Sequence, residues 1–322
     1  MSLGGALRRA PSPAKPREPR PPGSQALKLG GILPAAVTPI DEEERFQPAA
    51  FEALLERLYE AGVHGVYVSG NTGEGLAQPL EDRERLIEAA VRNSPRGKLV
   101  IAHVGAWRTA DAIRLARHAS RLGAAAISSL PPVGEYGFEE VKQYYADLAA
   151  VSDPPLFVYY YPAFSQAIAS LSALEELLEI PNVAGIKFTG FDLYTLSLLK
   201  QSGAVVFNGH DKVLVAGLLM GADGGIGSFY NLVPELFVEL YEKAARGDWP
   251  AARAAQSRIN ELIRLTLEFP MLPAIKKMLE WSGIACGPCF RPRRPLAPEQ
   301  ERRLAEALAV SSFASAPFAR PG

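Results

Sequence analysis

The chain has 322 residues, 48% hydrophobic, 21% charged and 9% aromatic, a composition that fills a large core and excludes a disordered polymer. Thirty-four Lys and Arg against 35 Asp and Glu leave a net charge of -1, so no overall field draws the chain to nucleic acid or an anionic membrane, and a small-molecule partner is expected. Two cysteines cannot build a disulfide framework, which fits a reducing, cytoplasmic setting, and no apolar run approaches the roughly 20 residues of a membrane span.

Residues 1–28 hold six prolines and six Lys or Arg against the single acid Glu18, and are expected to be a disordered basic tail. The tail lacks the apolar h-region of a signal peptide and the amphipathic, Ser-rich character of a transit peptide. From residue 29 to residue 247, short β-branched or aromatic runs alternate with longer stretches of helical period. Strands are expected near 32–38, 63–69, 98–104, 124–130, 155–161, 183–189, 204–209 and 224–229. The helices between them include Pro79 to Asn93, with acids in its first turn, and Thr109 to Leu122, where Ala112, Leu115, Ala116 and Ala119 share one face. Eight such units with no linker between them predict an α/β fold, a closed (β/α)₈ TIM barrel. Over 248–313 the pattern is purely helical, near 248–268, 272–282 and 297–312, and predicts a helical appendage packed on the barrel. Asp248 is an expected N-cap, Pro298 an expected helix start, and 314–322 an expected flexible tail.

Active sites of such barrels lie at the carboxyl ends of the strands, so polar residues there come first. After the second strand, Gly70-Asn71-Thr72-Gly73-Glu74-Gly75 is a tight loop whose amides can form an anion-binding nest and whose Thr72 hydroxyl can donate to a carboxylate; an ordinary glycine turn has the same pattern. In Tyr159-Tyr160-Tyr161-Pro162, alternation sends Tyr159 and Tyr161 to one face, for packing or for chemistry. Lys187 interrupts the apolar run VAGIKF. A lysine entering a barrel must pair, snorkel or lose its charge, and a desolvated amine is the nucleophile that a Schiff base with a ketone needs; a structural ion pair is the alternative.

Three further features are weaker. Gly224-Gly225-Ile226-Gly227-Ser228 lies where many barrels hold phosphate, or else allows close packing. Cys286-Gly287-Pro288-Cys289 has redox spacing but sits in a Pro-rich loop between helices, and no second Cys or His pair completes a metal site. The histidines His64, His103, His118 and His210 show no metal-ligand spacing.

Together, Gly70-Asn71-Thr72-Gly73-Glu74, Tyr159 and Lys187 resemble the N-acetylneuraminate lyase and dihydrodipicolinate synthase family of Schiff-base pyruvate aldolases. The resemblance runs from about Gly30 to Pro295, and GIKFTGFDLYTL and FNGHDKVLVAGLLMGADGGIGSFYN look most like its sialic acid lyase branch. It implies a homotetramer and no metal or organic cofactor. It also implies that Lys187 attacks a 2-keto carbon, that Tyr159 is the general acid and base, and that Thr72 holds the substrate carboxylate with the amides of Asn71 and Thr72. Thr189, Gly209, Asp211 and Ser228 match positions that contact the polyol in sialic acid lyases.

The chain also departs from that pattern. Lys212 stands where those lyases have a glutamate, which makes N-acetylneuraminate an expected poorer substrate than a shorter or doubly acidic 2-keto-3-deoxy acid. Leu130-Pro131-Pro132-Val133 lacks the tyrosine pair by which many members complete a neighbouring site. Asn71 replaces Ser or Thr. Phe164 occupies the place of the arginine that binds the second substrate in dihydrodipicolinate synthases, an argument against lysine biosynthesis. The expected activity is cleavage of a sugar acid such as N-acetylneuraminate to pyruvate and an aldehyde. A dehydratase or short-chain hydroxy-oxo-acid aldolase on the same Schiff base, and a non-catalytic pyruvate-binding barrel, remain as alternatives.

Overall fold

The computed structural model describes residues 29–319, so the basic tail expected over 1–28 lies outside the described residues. Eight parallel strands form one sheet: β1 (Gly31–Pro34), β2 (Gly65–Val68), β3 (Leu99–His103), β4 (Ala126–Ser129), β5 (Leu156–Tyr160), β6 (Val183–Phe188), β7 (Val205–Asn208) and β8 (Gly224–Gly227). Their order is β1-β8-β7-β6-β5-β4-β3-β2. The two ends meet at a parallel bridge between Ala35 and Tyr67, which brings the sheet round into the expected barrel. Each crossover is a helix: α1 (Pro48–Glu60), α2 (Leu80–Asn93), α3 (Thr109–Leu122), α4 (Phe138–Val151), α5 (Leu171–Leu178), α6 (Leu193–Gln201) and α7 (Leu214–Leu219), with α8 (Pro234–Ala245) completing the ring.

The two faces of each strand explain the sequence pattern. Leu33, Tyr67, Leu99, Ile101, Phe157 and Phe207 fill the barrel interior, whereas their neighbours Ile32, Val66, Val100, Val158 and Val206 belong to the larger core between strands and helices. Strands buried on both faces read as continuous apolar runs rather than as alternation. Some ladders stop short of those runs. The run ILPAAVT continues to Thr38, but β1 ends at Pro34. Beyond it the Ala36 amide donates to the Tyr67 carbonyl of β2 at 2.9 Å, and Thr38 Oγ1 donates to the Gly73 carbonyl at 2.7 Å, so this stretch is committed to the end of β2 and the loop after it.

The appendage is helical, as its period predicts: α9 (Trp249–Thr266), α10 (Met271–Trp281) and α11 (Pro298–Ala309). Asp248 caps α9, its carboxylate accepting the Ala251 amide at 3.1 Å. Within the expected tail, Phe318 is 2% exposed, its ring 6.0 Å from that of Phe313. Apolar burial has outweighed the small-residue composition of this segment.

Candidate active site

β6 alternates like its neighbours: Ile186 and Phe188 face the helices, and Lys187 enters the barrel, where it is 4% exposed. No carboxylate among the described residues lies within 4.0 Å of its amine. Instead, Lys187 Nζ stands 3.8 Å from the centroid of the Tyr159 ring and 4.2 Å from that of Tyr67. Burial pulls the Lys187 amine down to about 7, and the Asp211 carboxylate opposes the fall. The amine therefore has the desolvated setting a nucleophile needs, and the structural ion pair is absent.

Tyr159 lies beside Lys187 because β5 and β6 pair in register, Tyr159 with Lys187. Burial raises its hydroxyl well above the usual phenol value. Thr189 Oγ1 is buried without a hydrogen-bond partner among the described residues. Tyr161 stacks on Tyr159 at 6.2 Å and 14°, while Tyr160 points outward against Phe188. This is the alternation that the Tyr-Tyr-Tyr run predicts.

The loop after β2 reaches the same space. Thr72 Oγ1 lies 2.7 Å from Ser228 Oγ, a bond that ties the mouth of β2 to that of β8. The Glu74 amide donates to the Asn71 carbonyl at 3.1 Å and the Gly75 amide to the Gly70 carbonyl at 3.0 Å, so the turn closes on itself. The amides of Asn71 and Thr72 have no partner among the described residues and stay available as donors. Free amides of this kind are what an anion-binding nest requires.

Asp211 follows β7. Its Oδ2 accepts the Ser228 amide at 3.1 Å and the Phe229 amide at 3.0 Å, and its Oδ1 has no partner among the described residues. Burial pushes this carboxyl up to about 6, against the pull of those amides and of Lys187 and Lys212. The two amides that a phosphate would use are thus occupied by a carboxylate, which disfavours phosphate at the glycine-rich segment. The glycines serve close approach: a Cβ on Gly227 would fall 1.6 Å from Asp211 Oδ1. From the appendage, Gln256 Nε2 donates to the Asp211 carbonyl at 2.9 Å and Gln256 Oε1 accepts the Val215 amide at 3.0 Å, fixing the loop from behind.

One cavity of about 220 Å³ collects the residues expected to act on or bind a substrate: Thr72, Tyr159 and Lys187 with Asn71, Thr189, Gly209, Asp211, Lys212 and Ser228. Lys212 is exposed at its mouth, in no ion pair among the described residues and 5.9 Å from the Phe191 ring. The sequence did not point to Tyr67, whose interior place on β2 was the available signal. Nor did it point to Gln256 or to Ile263, Leu267 and Met271, by which the appendage completes the cavity wall. Cys286 and Cys289 are free and buried; burial pushes both thiols up to about 12, which leaves no reactive thiolate.

Residues 28–311 match the dihydrodipicolinate synthetase family. The chain is 39% identical over 287 residues to an N-acetylneuraminate lyase of Rhizobium meliloti, covering 88% of this chain and 95% of the relative. It is 33% identical over 291 residues to an N-acetylneuraminate lyase of Escherichia coli, covering 89% and 97%. Among solved structures, the sialic acid aldolase of Ruminococcus gnavus superposes with a TM-score of 0.83 at 30% identity, covering 87% of this chain and 96% of that one. A catalytic lysine mutant of the same aldolase superposes equally well, with a TM-score of 0.83.

Proposed function

The chain belongs to the dihydrodipicolinate synthetase family, and from that premise we propose that it is a Schiff-base lyase that cleaves N-acetylneuraminate or a closely related 2-keto-3-deoxy sugar acid to pyruvate and an aldehyde sugar. One observation carries the reading: a buried, unpaired Lys187 amine beside Tyr159 in a cavity that also holds Thr72. The names of the relatives favour sialic acid over a dehydratase, a short-chain aldolase, a dihydrodipicolinate synthase or a non-catalytic barrel. Phe164, half-buried against the barrel interior, offers no cation for a second carboxylate.

In this mechanism Thr72 and the amides of Asn71 and Thr72 hold the carboxylate of the substrate. The neutral Lys187 amine attacks C2, and the Tyr159 hydroxyl gives its proton to the departing oxygen, so that loss of water leaves a protonated imine on Lys187 and a phenolate at Tyr159. That phenolate accepts the proton of the C4 hydroxyl as the bond between C3 and C4 breaks, the electrons of that bond flowing to the imine nitrogen to form an enamine. The aldehyde leaves, Tyr159 returns the proton to C3, and water releases pyruvate from Lys187. Asp211 Oδ1 and Thr189 Oγ1, the buried atoms without partners, receive the hydroxyls of the sugar, with Gly209 and Ser228 alongside. We extend the reading to a cytoplasmic homotetramer, as the family resemblance implies; no helix among the described residues is long and apolar enough to cross a membrane, and sedimentation tests the assembly.

Borohydride reduction in the presence of pyruvate tests the mechanism. The expected result is a stable adduct on the peptide containing Lys187, absent from Lys187→Ala. An unchanged intact mass after treatment of the native protein removes the aldolase reading.

A further inference from the structure

The turn that carries Thr72 is gripped by a buried ion cluster from the appendage, and we propose that Glu74 is a positioning residue that sets the substrate carboxylate site, held in turn by Lys276 and Arg293. The inference rests on the Schiff-base reading above. Glu74 is two residues beyond Thr72 and adopts a left-handed backbone, φ 55°, a conformation that non-glycine residues hold only when the surroundings impose it. Its side chain is 0% exposed. Oε1 accepts the Phe290 amide at 3.1 Å and Arg293 Nη1 at 3.2 Å, and Oε2 lies 3.5 Å from Lys276 Nζ. Lys276 is itself 1% exposed and also donates to the Pro288 carbonyl.

All of these partners lie in α10 or in the loop after it, more than two hundred residues along the chain from the turn they hold. On the barrel side, Thr38 Oγ1 and Gln78 Nε2 both donate to the Gly73 carbonyl. The turn is therefore clamped at adjacent residues, Gly73 by the barrel and Glu74 by the appendage, with the free amides of Asn71 and Thr72 ahead of the clamp. A buried ion pair contributes little net stability after desolvation, and apolar contact would attach the appendage as well. What charge-assisted bonds add is direction, and here the direction imposed is that of the turn presenting Thr72.

The test separates position from charge and from fold. In the double variant Glu74→Gln/Lys276→Gln the net charge of the cluster is unchanged. The pyruvate concentration that half-saturates borohydride trapping is expected to rise about tenfold, the scale of a slightly misplaced binding group, with kcat at saturation within about twofold of native. A purely structural role would lower kcat through loss of folded protein and leave half-saturation unmoved. If the double variant does not fold, Arg293→Gln decides, since that side chain is 43% exposed. It should raise half-saturation, whereas Arg294→Gln, a loss of the same charge from a neighbour with no ion pair among the described residues, should not. Native protein that traps pyruvate, with variants whose half-saturation is unchanged, overturns the positioning role alone. Native protein that traps nothing overturns the Schiff-base reading and this inference with it.

Discussion

Tyr159 and Lys187 face each other across the β5–β6 ladder, and the lysine amine stands 3.8 Å from the centroid of the tyrosine ring. The ring shields the amine from water, and in the proposed mechanism the hydroxyl at its edge carries the proton. Tyr159→Phe keeps the ring and removes the hydroxyl, so it should retain the fold and the pyruvate adduct while lowering turnover by about 10²-fold. Normal turnover in this variant would make Tyr159 a packing residue and move attention to Tyr161, which stacks on it.

The acid limb of the reaction follows from the same pair of neighbours. In the proposed mechanism the neutral Lys187 amine is the nucleophile, and burial pulls it down to about 7 from 10.5, so imine formation should rise as pH climbs through about 7. Asp211 opposes the fall of the Lys187 pKa, and Asp211→Asn should therefore move the limb to lower pH. Trapping rates with pyruvate alone, which has no polyol for Asp211 to bind, give the comparison; an unshifted limb excludes the coupling. The stability sign is also fixed: between about 7 and 10.5 the unfolded chain binds the extra proton, so the Lys187 contribution to stability increases with pH across that window.

The barrel was legible because parallel strands buried on both faces leave continuous apolar runs, and Lys187 was legible because it breaks such a run. Thr72 and Asn71 were visible through the glycines that flank them. Tyr67 was not, since its interior place on β2 is shared by aromatics that only pack and does not tell one that lies against a buried amine from those. Gln256 was hidden, and Glu74 was visible only as a member of the glycine-flanked turn, for a different reason: each is bonded to partners far along the chain, Asp211 for Gln256 and Arg293 for Glu74, and local pattern carries no record of such pairings. The packed turn at Phe318 shows the same limit, because its apolar partner decides its order.

Close approach of β8 to Asp211 gives a stability prediction. A methyl group on Gly227 would meet Asp211 Oδ1 at 1.6 Å, so Gly227→Ala must displace the carboxylate or the strand, at a cost of about 1–3 kcal/mol. The expected result is a lowered Tm and weakened sugar-acid turnover, with the pyruvate adduct on Lys187 preserved. A variant with native Tm and native turnover would show that Asp211 tolerates displacement and does not read the sugar.

A last prediction concerns substrate choice and Lys212. Its backbone is fixed, because Asn260 Nδ2 of α9 donates to the Lys212 carbonyl at 3.1 Å, so exchanging the side chain should leave the loop in place. The side chain sits at the cavity mouth near Phe191, whose ring stacks on His210 at 4.0 Å. It makes no ion pair with Asp211, whose Oδ2 is engaged by the Ser228 and Phe229 amides. An ammonium group has three donors and no acceptor. It can meet a hydroxyl oxygen or an anionic group, whereas a carboxylate there would accept from the hydroxyls of a polyol. Lys212→Glu should therefore raise kcat/KM for N-acetylneuraminate relative to a shorter or doubly acidic 2-keto-3-deoxy acid by about fivefold, the scale of one exposed charged contact. Both substrates are assayed with both proteins at equal ionic strength, so that screening does not differ between them. A ratio identical in the two proteins means that Lys212 points to solvent during turnover and that selectivity resides in Asp211 and Thr189.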